Sequence, residues 1–142
     1  KVSKYVTDFP NDKTAKMEGV IAIPHLGAST EESEDNCAMM AVKQLMDYME
    51  NGNIKNSVNF PNCDAGVCTS KGRLAILHRN IPKMLTQFTG AFAELNVNIE
   101  NMVNKSRGDY AYTVIDVDVL VNGNVTEKLS AINGVLKVRV VK

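Results

Sequence analysis

Hydrophobic and polar positions follow two different rhythms along the chain. In the first stretch the apolar residues come as short β-branched runs. Lys4 to Thr7 predicts a brief strand, a polar loop fills positions 11–19, and Val20-Ile21-Ala22-Ile23 halts at Pro24. Runs of this kind, bounded by Gly and Pro, predict buried strands of a parallel sheet. A long helix is predicted next. Ser29 and Glu32 have the spacing of a capping box, and Glu31, Glu32, Glu34 and Asp35 place negative charge on the positive end of the helix dipole. Ala38, Ala41, Val42, Leu45 and Met49 then recur at three- and four-residue steps, and Gly52 is placed to end the helix in a left-handed cap. Met39, Met40, Met46 and Met49 read as core or interface filler on that helix.

The rhythm is lost from Asn53 to Lys71, where Asn, Ser, Pro, Gly and Cys dominate, and the composition predicts a linker and a domain boundary. It then returns. Leu74 to His78 alternates as a strand does; Pro82 is suited to a helical first turn, and Ile81, Leu85, Phe88, Phe92 and Leu95 form one stripe, with Asn96 as a stop. Asn98 to Lys105 predicts a second strand and 106–109 a turn. Tyr110 to Val119 predicts a third, with Ala111, Thr113, Ile115, Val117 and Val119 on one face and Tyr110 and Tyr112 on the other. After the turn signal Asn122-Gly123, a second capping box, Asn124 and Glu127, opens a short helix carrying Leu129 and Ile132 and stopping at Gly134; Val135 to Val141 is the last strand. The order β-α-β-β-α-β is the split βαβ arrangement. Right-handed crossovers place both helices on one face of a four-stranded antiparallel sheet, leaving the other face to solvent or to a partner. So small a core also favours association.

Composition narrows the function. Of 142 residues 44% are hydrophobic and 23% charged, which is a folded rather than a disordered balance. Lys plus Arg and Asp plus Glu both number 16, so no basic surplus points to nucleic acid. An RNA-binding domain of this topology would need paired aromatics on its central strands, where Met102 and Val103 stand instead. No apolar stretch approaches the roughly 18 residues of a membrane span, and segment 1–13 lacks the apolar core of a secretory signal, so the expected location is cytoplasmic. Cys37, Cys63 and Cys68 match no zinc spacing; three reduced thiols and no metal site are expected.

His25 is the first chemical candidate. It follows an apolar strand, where doubly wound sheets meet their ligands, and precedes a helix start; on its own a lone histidine is more often structural than catalytic. The surrounding residues add to this. Ile23-Pro24-His25-Leu26-Gly27-Ala28-Ser29-Thr30 resembles the catalytic-histidine segment of the D-2-hydroxyacid dehydrogenases. Residues 31–38 and Asn56-Ser57-Val58-Asn59-Phe60-Pro61 extend the resemblance to the phosphoglycerate dehydrogenases within that family, and the trailing split βαβ unit resembles their regulatory ACT domain. The resemblance covers essentially the whole chain.

What the resemblance implies is specific. His25 would act as general acid/base, taking the proton of a substrate hydroxyl while hydride passes to the nicotinamide of NAD, with the backbone of Leu26, Gly27 and Ala28 beside that ring. A carboxylate partner is required to support the imidazolium, and Phe9-Pro10-Asn11-Asp12 offers Asp12. The family's dinucleotide fingerprint, G-x-G-x-x-G, does not occur, so the chain is expected to be a C-terminal portion without activity of its own, and not to hold NAD by itself. His78, Asn80 and Asn98 match the family's contacts to an amino-acid effector, L-serine, bound across a dimer interface; read locally, the same Asn80 is a turn residue or helix cap. Lys83 stands where the family carries glycine after the proline.

The expected layout is therefore α/β followed by α+β: a remnant of a dehydrogenase catalytic region over 1–61 (strand, catalytic-His loop, long helix), a linker over 62–71, and a ferredoxin-like βαββαβ ACT domain over 72–142. The implied parent is an oxidoreductase of serine biosynthesis, allosterically regulated, forming a dimer or tetramer through the ACT domain. The competing reading is a free-standing amino-acid-sensing module with no enzyme activity; Pro24-His25-Leu26-Gly27 discriminates, since a pure sensor has no use for it.

Overall fold

A computed structural model describes residues 3–142. The chain forms two compact units, Lys1–Ala41 and Val42–Lys142.

In the first unit, β1 (Tyr5–Thr7) and β2 (Val20–Ala22) pair in parallel, Thr7 opposite Ala22, with a single 3-10 turn at Thr14–Lys16 in the connection. The parallel pairing agrees with the strand pattern, but the expected burial does not: Val6 is 57% and Ile21 43% exposed. Helix α1 (Glu31–Asn51) runs on into the second unit. Its cap is one residue later than the pattern suggests. Thr30, not Ser29, receives a backbone N–H, from Ser33 at 3.2 Å. Gly52 closes the helix at φ 73°, the left-handed geometry expected of it. The apolar side chains of α1 stay exposed, Leu45 and Met49 among them.

The second unit holds a four-stranded antiparallel sheet in the order β4-β5-β3-β6, where β3 is Gly72–Arg79, β4 Ile99–Arg107, β5 Tyr110–Val117 and β6 Val135–Val140. Helices α2 (Met84–Glu94) and α3 (Gly123–Ser130) cover one face. Leu74, Ile76, Ile115 and Val117 from the central strands meet Met84, Phe88, Ala91 and Phe92 of α2 and Val125 and Leu129 of α3. This is the predicted split βαβ architecture, with corrections at its edges. Pro82 lies before α2 rather than in its first turn, and Ile81 and Leu85 fall outside the buried stripe, which Met84 and Ala91 occupy instead. The cap of α3 is Asn122, whose Oδ1 accepts the Val125 N–H at 3.2 Å, not Asn124.

On the opposite face the central strands are covered by the chain itself. Ala75, Tyr112 and Val114 lie beneath Ile54 and Cys63, which form an isolated antiparallel bridge, with Phe60 and Ala65 packed at the margin. The segment read as a linker is thus an apron folded over the sheet. Arg73 fastens it. Buried to 1% exposure, its guanidinium forms a bidentate pair with Asp116 and donates to the carbonyls of Asn51 (2.9 Å), Gly66 (2.7 Å) and Ala65 (3.1 Å). The hydrogen bond it donates to Asp116 holds the Arg73 guanidinium above its ordinary range. Tyr112 donates its hydroxyl to the Gly52 carbonyl at 2.7 Å, and Arg139 caps the carbonyls of Tyr48 (2.8 Å) and Met49 (2.6 Å). Carbonyls at a helix C-terminus have no intrahelical donors, and here three side chains of the sheet supply them. Gly72 opens β3 where a β-carbon would lie 2.4 Å from the Val119 carbonyl oxygen, so only glycine fits.

Candidate functional site

Two histidine-centred arrangements emerge, one in each unit. In the first, the parallel register of β1 and β2 brings their C-terminal ends side by side, and the residues just beyond them converge. Ile23 N–H donates to the Thr7 carbonyl at 3.0 Å, extending the pairing past the strands. Beyond it, His25 Nδ1 stands 2.9 Å from Asp8 Oδ2, and the Phe9 ring meets the imidazole edge-on with centroids 5.0 Å apart. The carboxylate on His25 is therefore Asp8. Asp12, expected in that role from the resemblance, lies in the loop built on Asn11, whose Oδ1 accepts the N–H groups of Lys13 (3.0 Å) and Thr14 (2.9 Å).

An acid on Nδ1 orients the ring and leaves Nε2 as the nitrogen available for proton transfer. The pair is open, with side-chain exposures of 58% and 52%, so as a bare surface pair it adds little stability. After it the backbone turns tightly, Leu26 N–H donating to Pro24 and Ser29 N–H to Leu26, each at 3.0 Å. A β-carbon added at Gly27 would meet nothing within 4 Å, so the Leu26–Ala28 backbone is open on that side.

His78 is the opposite case. It lies on the helix face of β3, 2% exposed, beside a register shift in the β3–β6 pairing, and stacks edge-on against Phe88 at 5.0 Å. Nδ1 is 2.8 Å from the Arg79 carbonyl, which can only accept, so this nitrogen carries a proton. Nε2 is 2.8 Å from Thr113 Oγ1, itself 2.8 Å from the Asn104 side chain. The line of polar groups leads from the buried ring to the half-buried Asn104.

A cleft of about 260 Å³ opens there, lined by His78, Asn80, Lys83, Met84, Thr86 and Asn104 among others. Asn80 is tied to the β4–β5 turn, its N–H on the Asp109 carbonyl (2.8 Å) and its Nδ2 on Gly108 (3.1 Å). Lys83 is the N-cap residue of α2 at φ 69°, and no side chain caps the first turn of that helix. Of the three effector candidates, His78 and Asn80 share this cleft. Asn98 does not: it sits before β4, whose first residues pair with the Val117 end of β5, while His78 pairs with Ala111 at the other end. Its N–H donates to Asp118 Oδ1 at 3.1 Å.

Asp8, Thr113 and Asn104 escape the sequence reading. Asp8 follows β1 by one residue and His25 follows β2 by three, so only the parallel register of the two strands would have pointed to Asp8. Thr113 and Asn104 depend on antiparallel register across β3, β5 and β4, which no local pattern reveals.

The family profile described as the ACT domain matches residues 72–134, and this part of the chain is an ACT domain with a ferredoxin-like fold. The chain is 33% identical over 79 residues, 56% of its length, to a protein named D-3-phosphoglycerate dehydrogenase from Escherichia coli strain K12. It is 31% identical over 94 residues, 61% of its length, to a putative D-3-phosphoglycerate dehydrogenase from Schizosaccharomyces pombe. The chain spans about a fifth of these curated relatives, 19% and 20% of their lengths. Among solved structures, the ACT domain from the GTP pyrophosphokinase of Chlorobium tepidum aligns at TM-score 0.43 and 19% identity, covering 49% of this chain and 94% of that one. No helix among the described residues is long and apolar enough to cross a membrane.

Proposed function

We propose that the chain is the C-terminal portion of a phosphoglycerate dehydrogenase, in which the ACT domain reports an amino acid, L-serine, to a catalytic region that includes His25. The observation that carries this is the presence, in one chain, of an imidazole–carboxylate pair just past a parallel strand pair and an ACT domain with a polar cleft at its first strand–helix junction. In the parent enzyme His25, oriented by Asp8, takes the hydroxyl proton of 3-phosphoglycerate at Nε2. NAD, when bound, would supply the acceptor for the hydride. Leu26, Gly27 and Ala28 would form the wall beside its nicotinamide, where the open side at Gly27 fits close approach of a ring. The G-x-G-x-x-G pyrophosphate cradle is not among these 142 residues, and the chain alone neither holds NAD nor turns over.

For the effector, His78 and Asn80 line one side of the cleft, and Asn98 acts from the partner copy of a dimer or larger assembly built on the ACT sheets. Amide groups and the open first-turn N–H groups of α2 suit a carboxylate. The proposed setting is the cytoplasm.

The test is calorimetric titration of the purified chain, its dimeric state verified, with L-serine. Saturable heat that falls at least tenfold in affinity with Asn80→Ala supports the reading; no heat at millimolar L-serine overturns the effector assignment. In the longer parent protein, His25→Asn should lower kcat by at least a hundredfold, and retained kcat would remove His25 from the reaction.

A further inference from the structure

We propose that Lys83 tunes the ACT cleft toward an effector whose side chain carries an anion, a carboxylate or a phosphate, over a neutral amino acid such as L-serine; this rests on the effector reading above. The first ground is the charge inventory of the cleft. Its lining is His78, Asn80, Ile81, Lys83, Met84, Leu85, Thr86 and Asn104, in which Lys83 is the one Lys or Arg and no Asp or Glu occurs. No salt bridge among the described residues involves Lys83, so its charge is not neutralised by a fixed acid.

The second ground is what the other polar groups are doing. Both ring nitrogens of His78 are engaged, on Arg79 and Thr113, and the Asn104 side chain is engaged by Thr113. Asn80 Nδ2 is held by Gly108. These groups can shape the cleft, but Lys83 supplies the uncommitted formal charge in its lining. A neutral zwitterion presents one carboxylate and one ammonium to that field, and attraction of the first is offset by repulsion of the second. A molecule with a further anion carries a net negative charge, and the balance turns to attraction.

The third ground is position. Lys83 is anchored at the N-terminal end of α2 as its N-cap residue, and its carbonyl accepts the Gln87 N–H at 3.0 Å. Its stem therefore leaves the backbone beside the cleft. The left-handed φ of 69° also makes glycine a compatible replacement, so the charge can be removed without disturbing the fold.

The experiment is titration of the full chain and of Lys83→Gly with L-serine, L-aspartate and O-phospho-L-serine at low and at high ionic strength. The expected result is that the two acidic compounds bind at least fivefold tighter than L-serine at low salt. Lys83→Gly should abolish that preference, and salt should erode it in the parent chain alone. L-serine binding with no preference for the acids, or a preference that Lys83→Gly leaves unchanged, overturns the charge inference and spares the effector reading. No binding of any of the three compounds to either protein overturns both.

Discussion

His25 and His78 belong to one residue type used under opposite physical terms. His25 stands in solvent, with a carboxylate on one nitrogen and, among the described residues, no protein partner on the other. His78 is enclosed, both nitrogens engaged and the ring in T-shaped contact with Phe88. The first can exchange a proton because little else depends on it. The second is part of the wall of a cleft, and its contribution is shape. The contrast extends to the surroundings: the β1–β2 pair shows largely exposed side chains, whereas β3 and β5 are buried on both faces, by helices on one and by the apron on the other. Exposure and structural commitment are divided between the two units.

That separation can be broken most forcefully at Arg73. Replacing it by Met leaves Asp116 charged and buried and strips donors from three carbonyls. Removing one partner of a buried pair costs about 3–5 kcal/mol, so urea denaturation of Arg73→Met should show a loss of that size. The double change Arg73→Met with Asp116→Leu should recover part of it, because the stranded charge is gone. A loss under 1 kcal/mol would mean that the apron is not fastened as described.

A smaller effect is expected from Cys63. Burial pushes its thiol up to about 11 from an ordinary 9.0, with Lys105 opposing weakly. A folded-state value above the unfolded one means that stability is intact below pH 9 and lost as pH rises toward 11. Linkage puts that loss on the order of 2 kcal/mol, and Cys63→Ala should make the alkaline fall in denaturation midpoint shallower. An unchanged slope would indicate that the thiol is open to water in solution.

The smallest change belongs to the other histidine. His25→Ala should alter unfolding free energy by less than about 0.5 kcal/mol, since its ion pair is exposed. A loss above 1 kcal/mol would make the Asp8–His25–Phe9 grouping a structural clasp and dissolve the contrast.

Much of this architecture is legible in the residues, and the reasons divide cleanly. The helices and strands of the ACT domain announce themselves by local periodicity, and the stops at Gly52, Asn96 and Gly134 by left-handed geometry. Caps drift by one or two residues because Ser29 and Thr30, or Asn122 and Asn124, are chemically equivalent candidates a step or two apart. The apron was not legible. Its one bridge, Ile54 to Cys63, has no period, and its anchor is a charged residue that reads as a solvent-facing strand position until Asp116, 43 positions away, is seen opposite. His25 could be named from its neighbours, but its acid required the register of two strands. The effector candidates divide the same way: His78 and Asn80 are local to one junction, and Asn98 is at the far end of the sheet.

The apron also bears on where such a module could be cut from the rest of a gene. A gene segment beginning at Gly72, where the recognisable domain starts, would carry a sheet with Ala75, Tyr112 and Val114 laid bare and Arg73 without three of its acceptors. A segment that keeps its cover would have to begin some twenty residues earlier, near Gly52. The physical edge of this module is the edge of its buried surface rather than the edge of its recognisable pattern.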